Sequence, residues 1–363
     1  MPQAKYKQTV FIGRFQIPHR AHAAIVEEAL RQSDRLLLLF GSSNFTRKVR
    51  NPFTFQERVE MFQEMMPDAF ETGRIVPVPI DDYLYRDSAW VQAVQDVIRR
   101  TGVPDEQTAL IGCKKDATSY YLDRFPNLPS IAMPFDDPVN ATELRECLYH
   151  LALVKDKEAE KQDGGGFSTV ELDATMKLQD WSPLEIFSTV TAACNEPWMI
   201  RLARRWVRGQ NYRARARGNG AHPVKQVTVD SVVIKSGHVL VGVREDADGE
   251  IEWALPGGHV EEFETIDDAT LRELDEETNI DVTKTQLQAA RQGPPRVFDY
   301  PFRSDRGRFI THASLFDLGT GPLPKVTPGT DFKECFWLPL SEVEPAKMFE
   351  DHGFIVQAMV ARL

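Results

Sequence analysis

Cysteine is scarce: four in 363 residues, Cys113, Cys147, Cys194 and Cys335, with no CxxC pair among them. Thiols so scattered give neither a zinc site nor a disulfide framework, and they are read as reduced. No apolar run reaches the roughly 20 residues that a bilayer span needs. The N-terminus passes straight into a strand-like QTVFIG without a signal-peptide layout, so a cytoplasmic protein with no membrane partner is expected. Positive charge is also in deficit, with 43 Lys and Arg against 54 Asp and Glu for a net −11. That balance argues against nucleic acid as a general partner, while leaving room for a local basic pocket around a small anion. Internal repeats are missing too, and a homo-oligomer is left open.

What is present is ordered. From Gln8 to about Leu151, the apolar runs TVFIGRF, RLLLLFGSS, RIVPVPI, ALIGCK and SIAMPF alternate with the helical patterns HAAIVEEALRQS, TFQERVEMFQEMM, SAWVQAVQDVIRRTG and ATSYYLDRFP. Such alternation predicts an α/β domain with a parallel sheet and crossover helices. From about Val224 the texture changes: two strands flank the Lys235-Ser236-Gly237 turn, RFITHASLFDL and ECFWLPL follow, and one helical segment, TIDDATLRELDEETN, sits among them. This predicts an α+β domain with a mixed sheet. The boundaries expected are 1–198 for the first domain, with a flexible polar insert near 155–180, then an arginine-rich connector over 199–222, and 223–363 for the second. The connector's arginines, including Arg201, Arg204 and Arg208, read as a solvated helix, with RNA binding as the alternative.

In a parallel sheet, ligands bind beyond the carboxyl ends of the strands, where helix N-termini face the crevice. VFIGRF followed by QIPHRAH supplies such a strand and turn. Gly13 would let backbone approach a phosphate, Arg14 offers a donor fork, and His19 and His22, about one helical turn apart, could face one point. A metal-binding pair and two ordinary surface histidines are the competing readings of these residues alone.

The segment resembles the nucleotidylyltransferase superfamily, whose turn stands here as His19-Arg20-Ala21-His22, with Ala21 in place of the usual glycine. GRFQIPHRAH is most similar to the archaeal-type nicotinamide mononucleotide (NMN) adenylyltransferases. NPFTFQERVEM, LIGCKKDATSYYL and NATELR resemble that family's later motifs in the same order. The resemblance implies a Rossmann-like fold and adenylyl transfer from ATP to NMN, giving NAD and pyrophosphate. It also implies catalytic roles for His19, His22, Arg14 and Arg145, and substrate contacts at Gly13, Phe15, Asn51, Gly112, Lys115, Asp116 and Thr142. Mg²⁺ or Mn²⁺ would accompany the phosphates. Trp90 matches the aromatic on which the family stacks nicotinamide; its other reading is a core tryptophan on an amphipathic helix. Nicotinate mononucleotide stays open as a substrate.

Glu273, Glu276 and Glu277 stand at i, i+3 and i+4, which places three carboxylates on one helical face. Their repulsion calls for a hard divalent cation with oxygen ligands; a solvated acidic helix is the plainer alternative. GHVEEFETIDDATLRELDEETNI resembles the Nudix box at Gly258, Glu264, Arg272, Glu273, Leu274, Glu276, Glu277 and Ile280, with Asn279 where the family has glycine. The resemblance implies a diphosphate hydrolase that binds Mg²⁺ or Mn²⁺ through Glu273, Glu276, Glu277 and Gly258, with Arg272 bracing Glu264. It leaves the catalytic base undecided. Pro295 falls near a proline of ADP-ribose-cleaving relatives, and Phe298, Tyr300 and Phe302 are candidates for a stacking wall. Arg296, Arg303, Arg306 and Arg308 are candidates for phosphate contacts. Both halves together resemble the bifunctional NMN adenylyltransferase/Nudix proteins, with ADP-ribose expected as the second substrate. The alternatives are cleavage of NAD(H) or another nucleoside diphosphate derivative, and an RNA-processing Nudix protein with a regulatory N-terminal domain.

Overall fold

The run Leu36–Phe40 has five consecutive apolar residues, and all five are buried. A strand apolar on both faces must be covered on both. The computed structural model, which describes residues 5–45, 47–113, 124–134, 140–160, 169–217, 225–329 and 331–363, shows that cover. The chain divides into two units, Met1–Asp82 with Asp87–Val207, and Tyr83–Arg86 with Arg208–Leu363.

The first unit is built on β1 (Tyr6–Gly13), β2 (Ser33–Phe40), β3 (Ile75–Pro79), β4 (Thr108–Gly112) and β5 (Ser130–Ala132), all parallel in the order β3-β2-β1-β4-β5. These are the five strands expected. Alternate residues serve opposite faces: Phe11, Leu36, Leu38 and Phe40 pack on one side, Val10, Ile12, Leu37 and Leu39 on the other. Because β1 pairs with both β2 and β4, the strand order reverses beside it, and the switch point lies at its carboxyl end. Helices α1 (Arg20–Gln32), α2 (Phe55–Met65), α3 (Pro67–Glu71), α4 (Asp87–Arg100), α5 (Ala141–Glu160), α6 (Thr169–Trp181), α7 (Leu184–Ala192) and α8 (Pro197–Arg217) complete it, α8 running past the division between the units. α2 starts where Thr54 and Glu57 form a reciprocal capping box.

Most of the stretch expected as a flexible polar insert is helical instead. α5 continues to Glu160 and α6 begins at Thr169. Ala174 and Leu178 lie buried in the same apolar cluster as Leu148 and Ala152, burial that the polar composition concealed. The expected helix ATSYYLDRFP, and with it Lys115 and Asp116, falls largely or wholly outside the described residues. On α8, Arg204 pairs with both oxygens of Asp156 within the first unit, and Arg208 pairs with Asp248 within the second.

The second unit has a mixed sheet in the order β10-β11-β6-β7-β12, from β6 (Lys225–Lys235), β7 (His238–Glu245), β10 (Arg296–Phe298), β11 (Arg308–Asp317) and β12 (Glu334–Pro339). β8 (Ile251–Ala254) joins β7 and β9 (Gly257–His259) joins β6. Among the paired strands of the described residues, only β6 and β11 run parallel. The β6–β7 turn has Ser236 and Gly237 both at positive φ, as a tight hairpin requires. α9 (Ile266–Thr278), α10 (Lys284–Ala290) and α11 (His352–Val360) pack around the sheet. In the buried interior Arg303 donates to both oxygens of Asp351, and the Tyr85 hydroxyl donates to the same carboxylate. No helix among the described residues is long and apolar enough to cross a membrane.

α9 ends on Asn279 at φ 39° and ψ 46°, the left-handed conformation in which asparagine stands in for glycine. Asn279→Ala is therefore expected to destabilise the second unit by about 1 kcal/mol, and Asn279→Gly by well under half of that. Chemical denaturation of both variants checks this; equal losses would mean that the turn carries no backbone strain.

Candidate active sites

The first site forms at the switch point. After β1 the chain turns at Phe15, whose φ is 50°, and its ring folds back beneath Gly13, where a Cβ would lie 2.5 Å from it. Gly13 is thus required to seat Phe15, a reason different from the phosphate approach expected of it. Phe15 itself is 2% exposed and packs edge-on to Phe11, Phe40 and Phe62. Its expected contact with substrate is corrected: its ring belongs to the core. It bears edge-on against His22 at 5.0 Å and supports that imidazole from below.

His19 is the N-cap of α1, and the His19 and His22 rings stack at 3.7 Å. The backbone N–H of His19 donates to Nδ1 of His22 at 3.3 Å, which leaves the proton of the neutral ring on Nε2, the donor a phosphate oxygen needs. Arg145 is buried; it donates to the carbonyl of Gln16 at 2.6 Å and to Oγ1 of Thr142 at 3.0 Å, so these two expected residues do meet. Burial, with Arg14 and Arg50 close by, pulls Arg145 down to about 10, so it stays charged at neutral pH. Asn51 is buried, Gly112 ends β4, and Trp90 lies half-buried on α4 against Phe125. Three participants were not foreseen. Asp82, beyond β3, is half-buried, with Ser42 hydrogen-bonded to it and Arg14 and Arg50 in electrostatic reach; desolvation raises its pKa. Arg50 and Arg58 add further positive charge. Only the topology, which brings the ends of β2 and β3 to the same crevice, could have pointed to Ser42 and Asp82.

The second site is the carboxylate face of α9. Arg272 grips Glu264 with Nε and Nη2 at 2.7 and 2.8 Å, as expected, and also donates through Nη1 to Glu273 at 2.9 Å and Glu276 at 3.1 Å. The Arg272 hydrogen bond holds Glu264 below the ordinary carboxylate range. Gly258 leaves room for Glu273: a Cβ there would lie 2.5 Å from the Glu273 carboxylate and push that side chain aside. Glu277 is 3% exposed and accepts the N–H of Gly257 at 2.8 Å; burial, with Glu273 nearby, pushes it up to about 8. The loop before β12 closes on the end of α9 through Gly329 N–H to Glu277 O at 2.9 Å and carries Asp331 to the same face. Arg244 on β7 acts on Glu277 from the sheet. Neither Asp331 nor Arg244 was foreseen, since neither lies in the box.

The downstream candidates separate. Phe298 is fully buried, edge-on to Tyr85, so its place in a stacking wall is corrected. Arg303 is buried in its ion pair with Asp351 and does not face a phosphate. Arg308 and Arg306 pair with Asp299 and Glu350, and Arg296 donates to the Ala358 carbonyl. Tyr300 and Phe302 form an edge-to-face pair, Phe302 half-exposed, while Pro295 is half-buried.

As they stand, the carboxylates turn to Arg272: among the described residues no three His, Cys, Asp or Glu side chains are gathered to hold a metal ion. Their chemistry nevertheless fits one. The oxygen donors are clustered, two of them are pushed up by burial, and a guanidinium nitrogen already bridges Glu273 and Glu276 as a cation would.

Residues 10–111 match the Cytidylyltransferase-like family and residues 224–359 the NUDIX domain. The nicotinamide/nicotinic acid mononucleotide adenylyltransferase of Acinetobacter baylyi is 34% identical over 152 residues, 42% of this chain and 80% of that protein. A bifunctional NMN adenylyltransferase/ADP ribose pyrophosphatase from Francisella tularensis has a crystal structure that superposes with a TM-score of 0.81 at 30% identity, over 98% of this chain and 99% of that one. Its complex with AMP and manganese superposes with a TM-score of 0.80 at 29% identity. A cytidylyltransferase-like unit with paired histidines at its switch point, continued by a Nudix unit and similar end to end to such a protein, places this chain in the bifunctional NMN adenylyltransferase/ADP-ribose pyrophosphatase family.

Proposed function

We propose that the first unit catalyses attack of the NMN phosphate on the α-phosphorus of ATP, forming NAD and releasing pyrophosphate. What supports this is the stacked His19 and His22 pair just past the carboxyl end of β1, together with Arg14 and Arg50 in electrostatic reach of the buried Arg145, which donates to the carbonyl of Gln16 in the same turn. Nothing covalent is asked of the protein, so its work is positioning and neutralisation of charge. His22 Nε2–H and His19 serve the ATP phosphates. Arg14 and Arg145 meet oxygens from the flank, with Arg145 fixing Gln16 and Thr142. ATP enters as its Mg²⁺ complex. The half-buried Trp90 offers a ring face for the pyridinium of NMN. Nicotinate mononucleotide is the competing substrate, as the name of the Acinetobacter relative indicates.

The second unit hydrolyses ADP-ribose, with water adding across the diphosphate to give AMP and ribose 5-phosphate. Glu273, Glu276 and Glu277, with the close backbone of Gly258, would hold Mg²⁺ or Mn²⁺, which supplies charge neutralisation at the diphosphate. Arg272 keeps Glu264 ionised and in place. Gly257 N–H orients Glu277 from the sheet side.

Product chromatography of the full chain tests both halves. NMN with ATP is expected to yield NAD, and AMP is expected from ADP-ribose ahead of NAD or NADH; AMP arising chiefly from NADH would overturn the second assignment. His22→Ala should lower NAD synthesis about a hundredfold or more with hydrolysis intact, and Glu277→Gln should do the reverse. Trp90→Ala should raise KM for NMN about three- to thirtyfold with little change in kcat. Gly258→Ala, by displacing Glu273, should weaken Mn²⁺ binding about ten- to a hundredfold in a spectroscopic titration while the circular dichroism spectrum is kept.

A further inference from the structure

Arg58, on α2, is wholly buried and ranks among the largest side chains that are. Its hydrogen bonds go to backbone carbonyls: Nε to Thr54 at 3.1 Å, and Nη1 to both Arg14 and Gly41. Nη2 has no partner among the described residues. No carboxylate among the described residues lies within ion-pair distance of it, and Asp82 and Glu57 favour its charge only from farther off; a cation so buried is costly, and a methionine of similar volume would fill the space without that cost. The two carbonyls taken by Nη1 lie just past the carboxyl ends of β1 and β2, neighbouring strands of the sheet. The residue after each of them is non-glycine at positive φ: Phe15 at 50° and Ser42 at 53°. Such conformations persist only where the surroundings over-determine them. Each strained residue in turn supports a group of the first site, Phe15 packing against His22 and Ser42 bonding to Asp82. The ring of Phe40, 5.7 Å away, faces the guanidinium from the strand.

We infer that Arg58 is a positioning residue for adenylyl transfer: one guanidinium pins both strained turns, and through them sets His22 on one side of the crevice and Asp82 on the other. This rests on the adenylyl-transfer reading of the site. Lysine keeps the charge but lacks the planar fork that reaches Thr54 on one edge and the two strand ends on the other.

The test uses the full chain as Arg58→Lys and Arg58→Met, with ADP-ribose hydrolysis by the same protein reporting that the preparation is sound. ATP binding sites per chain are counted by equilibrium dialysis, and kcat and KM of NAD synthesis are expressed per site. Arg58→Lys is expected to keep about one ATP site per chain, to lose about a hundredfold in kcat per site, and to hydrolyse ADP-ribose at an unaltered rate. Arg58→Met is expected to lose at least as much. A loss explained entirely by fewer binding sites, with kcat and KM per site unchanged, would reduce Arg58 to a support of the fold and overturn the inference. So would unchanged synthesis in both variants. A wild-type chain that makes no NAD would instead overturn the adenylyl-transfer reading on which the role depends.

Discussion

Repulsion among carboxylates is the constraint around which the second unit is arranged. Glu273, Glu276 and Glu277 share one face of α9, and the loop before β12 adds Asp331. Like charges at this spacing destabilise a helix by themselves, and partial burial raises the cost. Arg272 answers it locally, with one guanidinium bonded to three glutamates. The first unit faces the same constraint with the sign reversed: Arg14 acts on both Arg58 and Arg145, Arg50 acts on Arg145, and the half-buried Asp82 is the carboxylate among them. In each case an opposite charge is enclosed within the cluster, and it leaves an excess of one sign.

Both clusters depend on backbone that ordinary residues resist. Gly13 and Gly258 have no Cβ where one would collide, with the Phe15 ring and the Glu273 carboxylate respectively. Phe15, Ser42 and Asn279 adopt positive φ without being glycine. That strain is local, and at Phe15 and Ser42 it sits next to His22 and Asp82. The fully buried Arg58 is bonded to carbonyl oxygens immediately before two of these residues, Phe15 and Ser42.

The five strands of the first unit were legible because each is a short apolar run bounded by breakers. α9 was legible because its carboxylates, the box around them and Asn279 at its end all point the same way. β8, β9 and β10 were not: they are three or four residues long and lack the flanking apolar run, SIAMPF, that marked the equally short β5. The misread aromatics share one cause. Phe15 and Phe298 lie beside motif residues in sequence, but an aromatic in such a segment serves core and ligand with equal ease, and in the structure both rings point inward. Arg303 was misread because an arginine near a phosphate motif reads as a phosphate ligand until its buried partner, Asp351, 48 residues on, is known. Asp82, Arg50 and Asp331 carry no local signal at all; only the fold assembles them with the motifs.

The opposite signs of the two clusters have a direct chemical consequence. A crevice with excess arginine attracts triphosphate and monophosphate groups through its own side chains. A face with excess carboxylate repels a diphosphate and can hold one only once a cation has reversed its charge. Arg272 cannot make that reversal alone, because its guanidinium is already shared among Glu264, Glu273 and Glu276. Two reactions at phosphorus are thus run on one chain with opposite electrostatic designs: fixed positive side chains where phosphates are brought together, and fixed negative ones that recruit the positive charge where a diphosphate is cut.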